Sequence, residues 1–392
     1  MHDASTSPDV RELSAIRQDI DQIDRDLLAL LCRRMDCSLE VAAYKTAHGL
    51  PVLNAGREQE ILDRIRQDAG AAYADAAALV FSSIMDVSRG LQHRRMAGGQ
   101  TLRNRLDGAA DALLPPEQAR VVCSGRAGAY AHEAARRLFP GASMPRFVPS
   151  FSDVFAAVED GSADYGVVPV ENSSTGSVHE VYDLIMNSRF SIAAAIELPV
   201  HHCLLGVRGA DPARLQAVYS HPQGLSQCAA YLEAHGLEPR PYSNTAAAAE
   251  MVAAAGDPAV GAIASRTAGE LYELDILDDN IQNVSENTTR FLAISSRLSL
   301  PADADRISLI FTLPHVTGSL YRILARFAMQ GLNLTKLESR PVKNGEFEYA
   351  FYLDFEGNLQ SAATVDLLCA LSEELPVFNF LGNYREQTVH AD

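Results

Sequence analysis

With 392 residues and 47% hydrophobic content, the chain is too long for one ordinary core and holds apolar material for two or three, so several domains are expected. A formal net charge of −17 disfavours nucleic acid or an anionic membrane as a partner, and any anionic ligand must be met by local Arg and Lys against that field. The opening MHDASTSPDV has no basic segment ahead of an apolar run, and no run of about 18 uncharged apolar residues follows, which predicts a soluble, cytoplasmic protein. Cys32, Cys37, Cys123, Cys203, Cys228 and Cys369 lack CxxC spacing and a nearby His pattern, so reduced thiols are expected, with neither a disulfide framework nor a metal site.

In chain order, the first segment is helical. Leu13, Ile16, Ile20, Ile23, Leu27 and Leu30 step by threes and fours along one face, and no Gly or Pro interrupts the chain from about Val10 to His48. Gly49 and Pro51 should stop that helix, and two shorter helices should follow over roughly 55–68 and 73–96. A polar, Pro- and Gly-punctuated linker comes next, over 99–118. Short apolar runs then alternate with amphipathic stretches, the mark of α/β structure; YGVVPV, SIAAAIEL, LQAVYS and VGAIAS read as strands, and the region closes near TRFLAISSR. Its length suits two lobes with a cleft between them. From Arg306 onward the order is βαββαβ, a ferredoxin-like arrangement, through RISLIFTL, SLYRILARFAMQG, NLTKLESRP, EYAFYLDFEG, a helix near 361–374 and VFNFLGNY.

A long helix with an apolar repeat of about 3.5 residues needs partners, and two short helices cannot cover it, so two copies should associate. The segment also carries Arg17, Arg34, Lys45, Arg57, Glu58, Ser88 and Gln92. With AIRQDIDQIDRDLLALLCRRM, VAAYK, GREQEIL and DVSRGLQ, it resembles the all-helical chorismate mutase fused to prephenate dehydratase in bacterial P-proteins. The resemblance implies that these residues bind chorismate, and that Asn54 stands where the family usually has Asp. At about 1.5 Å per residue, Arg17 and Lys45 lie roughly 42 Å apart on one helix, whereas Arg34 and Lys45 are about 20° apart around it and roughly 16 Å along it. If all serve one site, Arg17 must come from the other subunit. Arg17, Arg34 and Arg57 suit the two carboxylates of chorismate, Lys45 and Gln92 its ether oxygen, and Glu58 its hydroxyl.

Further on, GRAGAYAHEAA, VPVENSSTGSVHEVYD, YSHPQGLSQC and ENTTRF follow one another over about 180 residues. Together they look like prephenate dehydratase. That likeness makes Thr289 the catalytic hydroxyl, a hydrogen-bond donor to the departing hydroxyl of prephenate, since a threonine is a poor acid. It puts Asn172, Ser220, Gln227 and Arg290 around the substrate, with Glu171 and His221 as weaker candidates; a structural hydrogen bond is the simpler reading of His221. Ser220 precedes an expected helix over GLSQCAAYLEAHG, whose N-terminus would favour an anion. Ala129 and Ala131 replace common hydroxyl residues, and Arg126 a common proline, which leaves a weakened dehydratase as an alternative.

TGSLYRIL and LESRP resemble the effector phrases of the ACT domain appended to prephenate dehydratases. The resemblance implies a phenylalanine site at Gly318, Ser319, Leu320, Glu338, Ser339, Arg340 and Pro341, and feedback inhibition through it. The expected fold is therefore multidomain: an all-α chorismate mutase over 8–98, built as three helices in an intertwined dimer; an α/β two-lobed, periplasmic-binding-protein-like dehydratase domain over 119–298; and an α+β ferredoxin-like ACT domain over 305–386. No cofactor is expected. The partners are chorismate, prephenate, phenylalanine and at least one further copy of the chain. The rival readings are an active mutase with an impaired dehydratase domain acting as a phenylalanine sensor, and a non-catalytic amino-acid sensor, which leaves the N-terminal cations unexplained.

Overall fold

The computed structural model describes residues 11–96, 98–284, 287–341 and 349–389. Val10, Glu286 of the ENTTRF phrase and Glu348 at the start of EYAFYLDFEG lie outside the described residues. In chain order the helices and strands are α1 (Leu13–His48), α2 (Ala55–Met96), α3 (Gln100–Asp107), β1 (Val121–Ser124), α4 (Tyr130–Leu138), β2 (Arg146–Val148), α5 (Phe151–Glu159), β3 (Tyr165–Asn172), β4 (Gly176–Ser177), α6 (His179–Asn187) and β5 (Ser191–Pro199). There follow β6 (Cys203–Gly206), β7 (Ala217–Ser220), α7 (Pro222–Gln227), α8 (Ala229–Ala234), β8 (Glu238–Pro241), α9 (Thr245–Ala255), β9 (Val260–Ala264), α10 (Arg266–Leu271), β10 (Asp275–Asp278) and β11 (Thr288–Ser295). The last elements are β12 (Arg306–Leu313), α11 (Ser319–Met329), β13 (Leu334–Pro341), β14 (Tyr349–Glu356), α12 (Ala362–Glu374), β15 (Phe378–Tyr384) and β16 (Glu386–Thr388).

Two compact units emerge. One takes the chain up to Arg103 together with Gly318–Gln330 and Ala362–Glu374; the other takes Asn104–Thr317, Gly331–Ser361 and the residues from Leu375 on. In the first, α1 ends where expected, at a left-handed Gly49 (φ 63) whose N–H returns to the Lys45 and Thr46 carbonyls. The two helices expected after it form α2, interrupted at Gly70, where φ 68 and ψ 167 are not helical. That break turns the chain. Glu58 and Arg89 would be roughly 46 Å apart on a straight helix, yet they form an ion pair, so the two halves of α2 fold back on each other. Leu13, Ile20, Ile23, Leu27 and Leu30 of α1 are all at least half exposed, an apolar face left open within one chain.

The second unit holds three sheets. The largest runs β16-β5-β11-β3-β1-β2, with β4 paired to β3, and the next runs β10-β6-β9-β7-β8. The chain leaves the first lobe after β5 and returns to it as β11, so two strands of connection join the lobes, as a two-lobed cleft requires. The third sheet runs β13-β14-β12-β15, the strand order of a ferredoxin-like sheet. Its Ile310, Tyr352, Leu381 and Tyr384 share one core with Val168, Val170, Leu292 and Ile294 of the largest sheet. A Cβ at Gly382 would collide with the Ile192 carbonyl, so only glycine lets β15 lie this close to β5. The segment read as a linker carries α3, and β16, which no local pattern announces, joins the largest sheet beside β5.

Within β3, Pro169 has no N–H for the ladder, and the β3–β11 register slips there: Arg290 stands opposite Glu171, whereas Phe291 stands opposite Pro169. Beyond this bulge Asn172 and Thr289 become a directly opposed pair. Opposed residues project to one face, and this brings the two polar side chains together.

Candidate active sites

The first unit gathers five of the predicted residues. Arg34 donates to Ser88 Oγ at 2.6 Å, and Lys45 Nζ donates to Gln92 Oε1 at 3.1 Å. Ser88 and Gln92 are one helical turn apart, hence on one face of α2. Glu58 joins them through the Arg89 ion pair. Burial pushes the Arg34 guanidinium down from its ordinary value, against the raising effect of Glu58. It does the same to Lys45, where Glu58 raises and Arg89 lowers the value further. Such a cluster is a half-buried group of fixed donors, suited to a small polyanion.

Other predicted residues stand apart. Arg17 is exposed and makes no ion pair or hydrogen bond among the described residues. Arg57 is exposed and pairs with Glu60 at 2.9 Å. Asn54 caps α2, its Oδ1 accepting from the Arg57 N–H at 3.0 Å. Arg89 and Asp86, which sequence reasoning missed, form a buried ion pair beside Glu58. Their spacing of three on one helix was the available signal.

In the second unit, Asn172 Nδ2 donates to Thr289 Oγ1 at 2.8 Å and to Asn287 Oδ1 at 2.8 Å. The Asn172 carbonyl oxygen accepts from the backbone N–H groups of Ser174 and Thr175, both at 3.1 Å, which fixes the orientation of the amide. Thr289 therefore receives its hydrogen bond and keeps its own proton to donate. Beside this pair lies a cavity of about 330 Å³, lined by Thr175, Gln223, Gln227, Gln282 and Asn287 among others. Gln227 Oε1 lies 2.9 Å from His202 Nε2, leaving its amide N–H donors unpaired at the cavity wall among the described residues. Burial pushes His202 down from its ordinary value, with the Gln227 hydrogen bond opposing, so the ring stays neutral near pH 7.

Two expectations fail here. Ser220 does not line the cleft: it is fully buried and donates to the Ile263 carbonyl at 2.7 Å. Arg290 does not face the substrate either. One position along the strand from Thr289, it projects to the opposite face, where it pairs with Asp354 at 2.6 Å and Glu386 at 2.5 Å and donates to Tyr384 Oη at 3.1 Å. The helix expected after Ser220 is split at Cys228 into two pieces of six residues, and the His221 ring, at 3.3 Å from the Gln223 N–H, caps the first. The structural reading of His221 is the better one.

Glu171 pairs with Lys336 at 2.8 Å. Glu338 accepts from Ser177 Oγ at 2.9 Å, and Arg340 pairs with Asp183 at 2.9 Å, so alternate residues of the LESRP phrase are engaged within the chain while Ser339 and Pro341 are exposed. Ser319 is buried and Gly318 has φ 82 at the N-cap of α11. Ala129 occupies the N-cap of α4 with no side-chain cap, and Ala131 is buried. Arg126 is exposed and pairs with Glu250. Among the described residues no group of three or more His, Cys, Asp or Glu is placed to hold a metal ion.

A helical cluster of half-buried cations, followed in the chain by a two-lobed α/β unit with a polar cavity, defines a two-site enzyme. Family models agree on both halves: chorismate mutase type II matches residues 16–93, and prephenate dehydratase matches residues 121–299. The bifunctional chorismate mutase/prephenate dehydratase of Escherichia coli strain K12 is 33% identical over 386 residues, covering 96% of this chain and 97% of that protein. Among solved structures, the prephenate dehydratase of Arthrobacter aurescens in complex with L-Phe is 27% identical, with a TM-score of 0.61 over 68% of this chain and 89% of that one. GqqA, described as a novel type of quorum quenching acylase, is 33% identical at the same TM-score, over 67% of this chain and 97% of its own. The chain belongs to the bifunctional chorismate mutase/prephenate dehydratase family.

Proposed function

We propose that this chain carries out two consecutive steps of phenylalanine biosynthesis: the rearrangement of chorismate to prephenate, then the dehydration and decarboxylation of prephenate to phenylpyruvate. The convergence of Arg34, Lys45, Glu58, Ser88 and Gln92 is the observation that carries the reading. A pericyclic rearrangement needs no nucleophile, proton donor or metal. It is accelerated by holding the reactive conformer and by donors at the ether oxygen, where negative charge grows as the C–O bond breaks. Arg34 suits a carboxylate, Lys45 and Gln92 the ether oxygen, and Glu58 the hydroxyl. In the second step the C–CO2 bond breaks, its electron pair enters the ring, and the ring hydroxyl takes up a proton from solvent and departs as water. Thr289 donates to that hydroxyl, a reading supported by the hydrogen bond it accepts from Asn172.

The mutase site is completed by a second copy of the chain. Arg17 lies too far along α1 to share a ligand with Lys45 of its own helix, and the open apolar face of α1 is what an intertwined partner would cover. Arg57 and Asn54 complete the rim from the start of α2. Phenylalanine is the effector of an ACT domain formed from residues 305–386, with Gly318, Ser319, Leu320, Glu338, Ser339, Arg340 and Pro341 as its recognition residues. It inhibits by binding the less active arrangement more tightly. The cytoplasm is the compartment. Although α2 is long and apolar enough by composition to cross a membrane, it buries Asp86 against Arg89, as a helix of a water-soluble bundle does.

Chorismate consumption by the Arg34→Ala and Lys45→Ala variants tests the reading. Each should lose about a hundredfold or more in kcat, the usual effect of removing a donor to developing charge. Parental rates in both would remove the site assignment.

A further inference from the structure

Arg89 meets three carboxylates within the first unit. It is 8% exposed, and all three guanidinium nitrogens meet carboxylates. Nη1 reaches both oxygens of Glu58, Nη2 reaches Asp86, and Nε lies 3.3 Å from Glu374 Oε2 at the end of α12. Glu374 is gripped in turn by His93 Nε2 at 2.8 Å and Arg326 Nη1 at 2.9 Å. Glu58 and Asp86 belong to the N-terminal helices, whereas Glu374 and Arg326 come from segments more than two hundred residues later in the chain that join the same compact unit.

We propose that Arg89 is a positioning residue of the mutase site, which aims the Glu58 carboxylate and is itself fixed by Glu374, so that the mutase step depends on a helix of the C-terminal segment. The inference deepens the proposed function and rests on the reading of Glu58 as the acceptor of the substrate hydroxyl. A free Glu58 on an exposed helix start would sample several rotamers, and each lost rotamer costs binding energy at the moment of recognition. A planar fork hydrogen-bonded at two corners and faced by a buried carboxylate at the third removes that freedom before substrate arrives, and a lysine could not, because a point charge lacks those fixed directions. The third corner is an ion pair without a hydrogen bond, 3.3 Å from Nε to Glu374. Its removal leaves Arg89 Nε buried without its carboxylate and lets the fork rotate, and Glu58 moves with it.

The test uses the full chain and initial rates with chorismate and with prephenate. Glu374→Gln and Arg89→Lys should each lower mutase kcat/KM by about tenfold, the cost of one lost buried charge contact, while far-UV circular dichroism at the assay temperature shows the first unit folded and prephenate turnover shows the second unit intact. In a Glu58→Gln background, Glu374→Gln should add almost nothing, because its influence runs through Glu58. Parental mutase kinetics in Glu374→Gln, or losses that multiply in the double variant, would overturn the inference. A Glu58→Gln variant with parental kinetics would instead overturn the reading of Glu58, and the inference with it.

Discussion

Asn172 and Thr289 stand directly opposite on β3 and β11, and the Asn172 amide donates to Thr289 Oγ1 at 2.8 Å. The donation orients the threonine so that its own hydrogen is left for the cleft. Asn172→Ala should thus lower dehydratase kcat by about tenfold to a hundredfold through loss of a positioned donor, with less effect on KM, while mutase rates are unchanged. Steady-state kinetics with prephenate would check this.

The buried pair of residues withdrawn from the substrate site should behave as structural groups. Ser220→Ala removes a neutral hydrogen bond to the Ile263 carbonyl and should cost about 1 kcal/mol of stability, with KM for prephenate unchanged. Arg290→Met leaves the fully buried Asp354 carboxylate without its cation, while Glu386 keeps Arg306, and should cost about 3–5 kcal/mol, read by denaturant unfolding of the dehydratase unit.

Subunit mixing addresses the shared mutase site. Arg17→Ala and Lys45→Ala should each be nearly inactive alone. Unfolded together and refolded in equal amounts, they should recover up to about a quarter of parental activity, because half the dimers are mixed and each mixed dimer holds one intact site of two. A site built from one chain would recover none.

Acid should loosen the first unit through Glu374. Burial opposes its ionisation, but the His93 hydrogen bond and the Arg326 and Arg89 charges outweigh that and push its carboxyl down to about 2. A depressed carboxyl stabilises the fold fully above its unfolded value of 4.5, and that contribution, about 3 kcal/mol, is lost as pH falls from 4.5 toward 2. Glu374→Gln should flatten this part of the stability profile, measured by thermal unfolding at stepped pH.

Much of the molecule was legible in the sequence because helix and strand periods, glycine stops and phrase order are local signals. The end of α1 at Gly49 and the βαββαβ order of the C-terminal segment followed from them. What escaped depends on register and on distant contact. A bulge opposite Pro169 sets which of Thr289 and Arg290 faces the cleft, and no composition rule reads a bulge. Ser220 ends a strand as a lining residue would, yet its neighbour across the sheet accepts its hydrogen bond and closes it off. Arg89 went unnoticed because its partners Glu58 and Glu374 lie far away in sequence.

The most direct measurement is the fate of chorismate given to the parental chain and to Thr289→Ala. The parental protein should convert it through prephenate to phenylpyruvate, and Thr289→Ala should consume it at the parental rate but stop at prephenate. Chorismate left untouched by the parental chain, or phenylpyruvate formed as fast by Thr289→Ala, would contradict the assignment of two chemical steps to two separate sites.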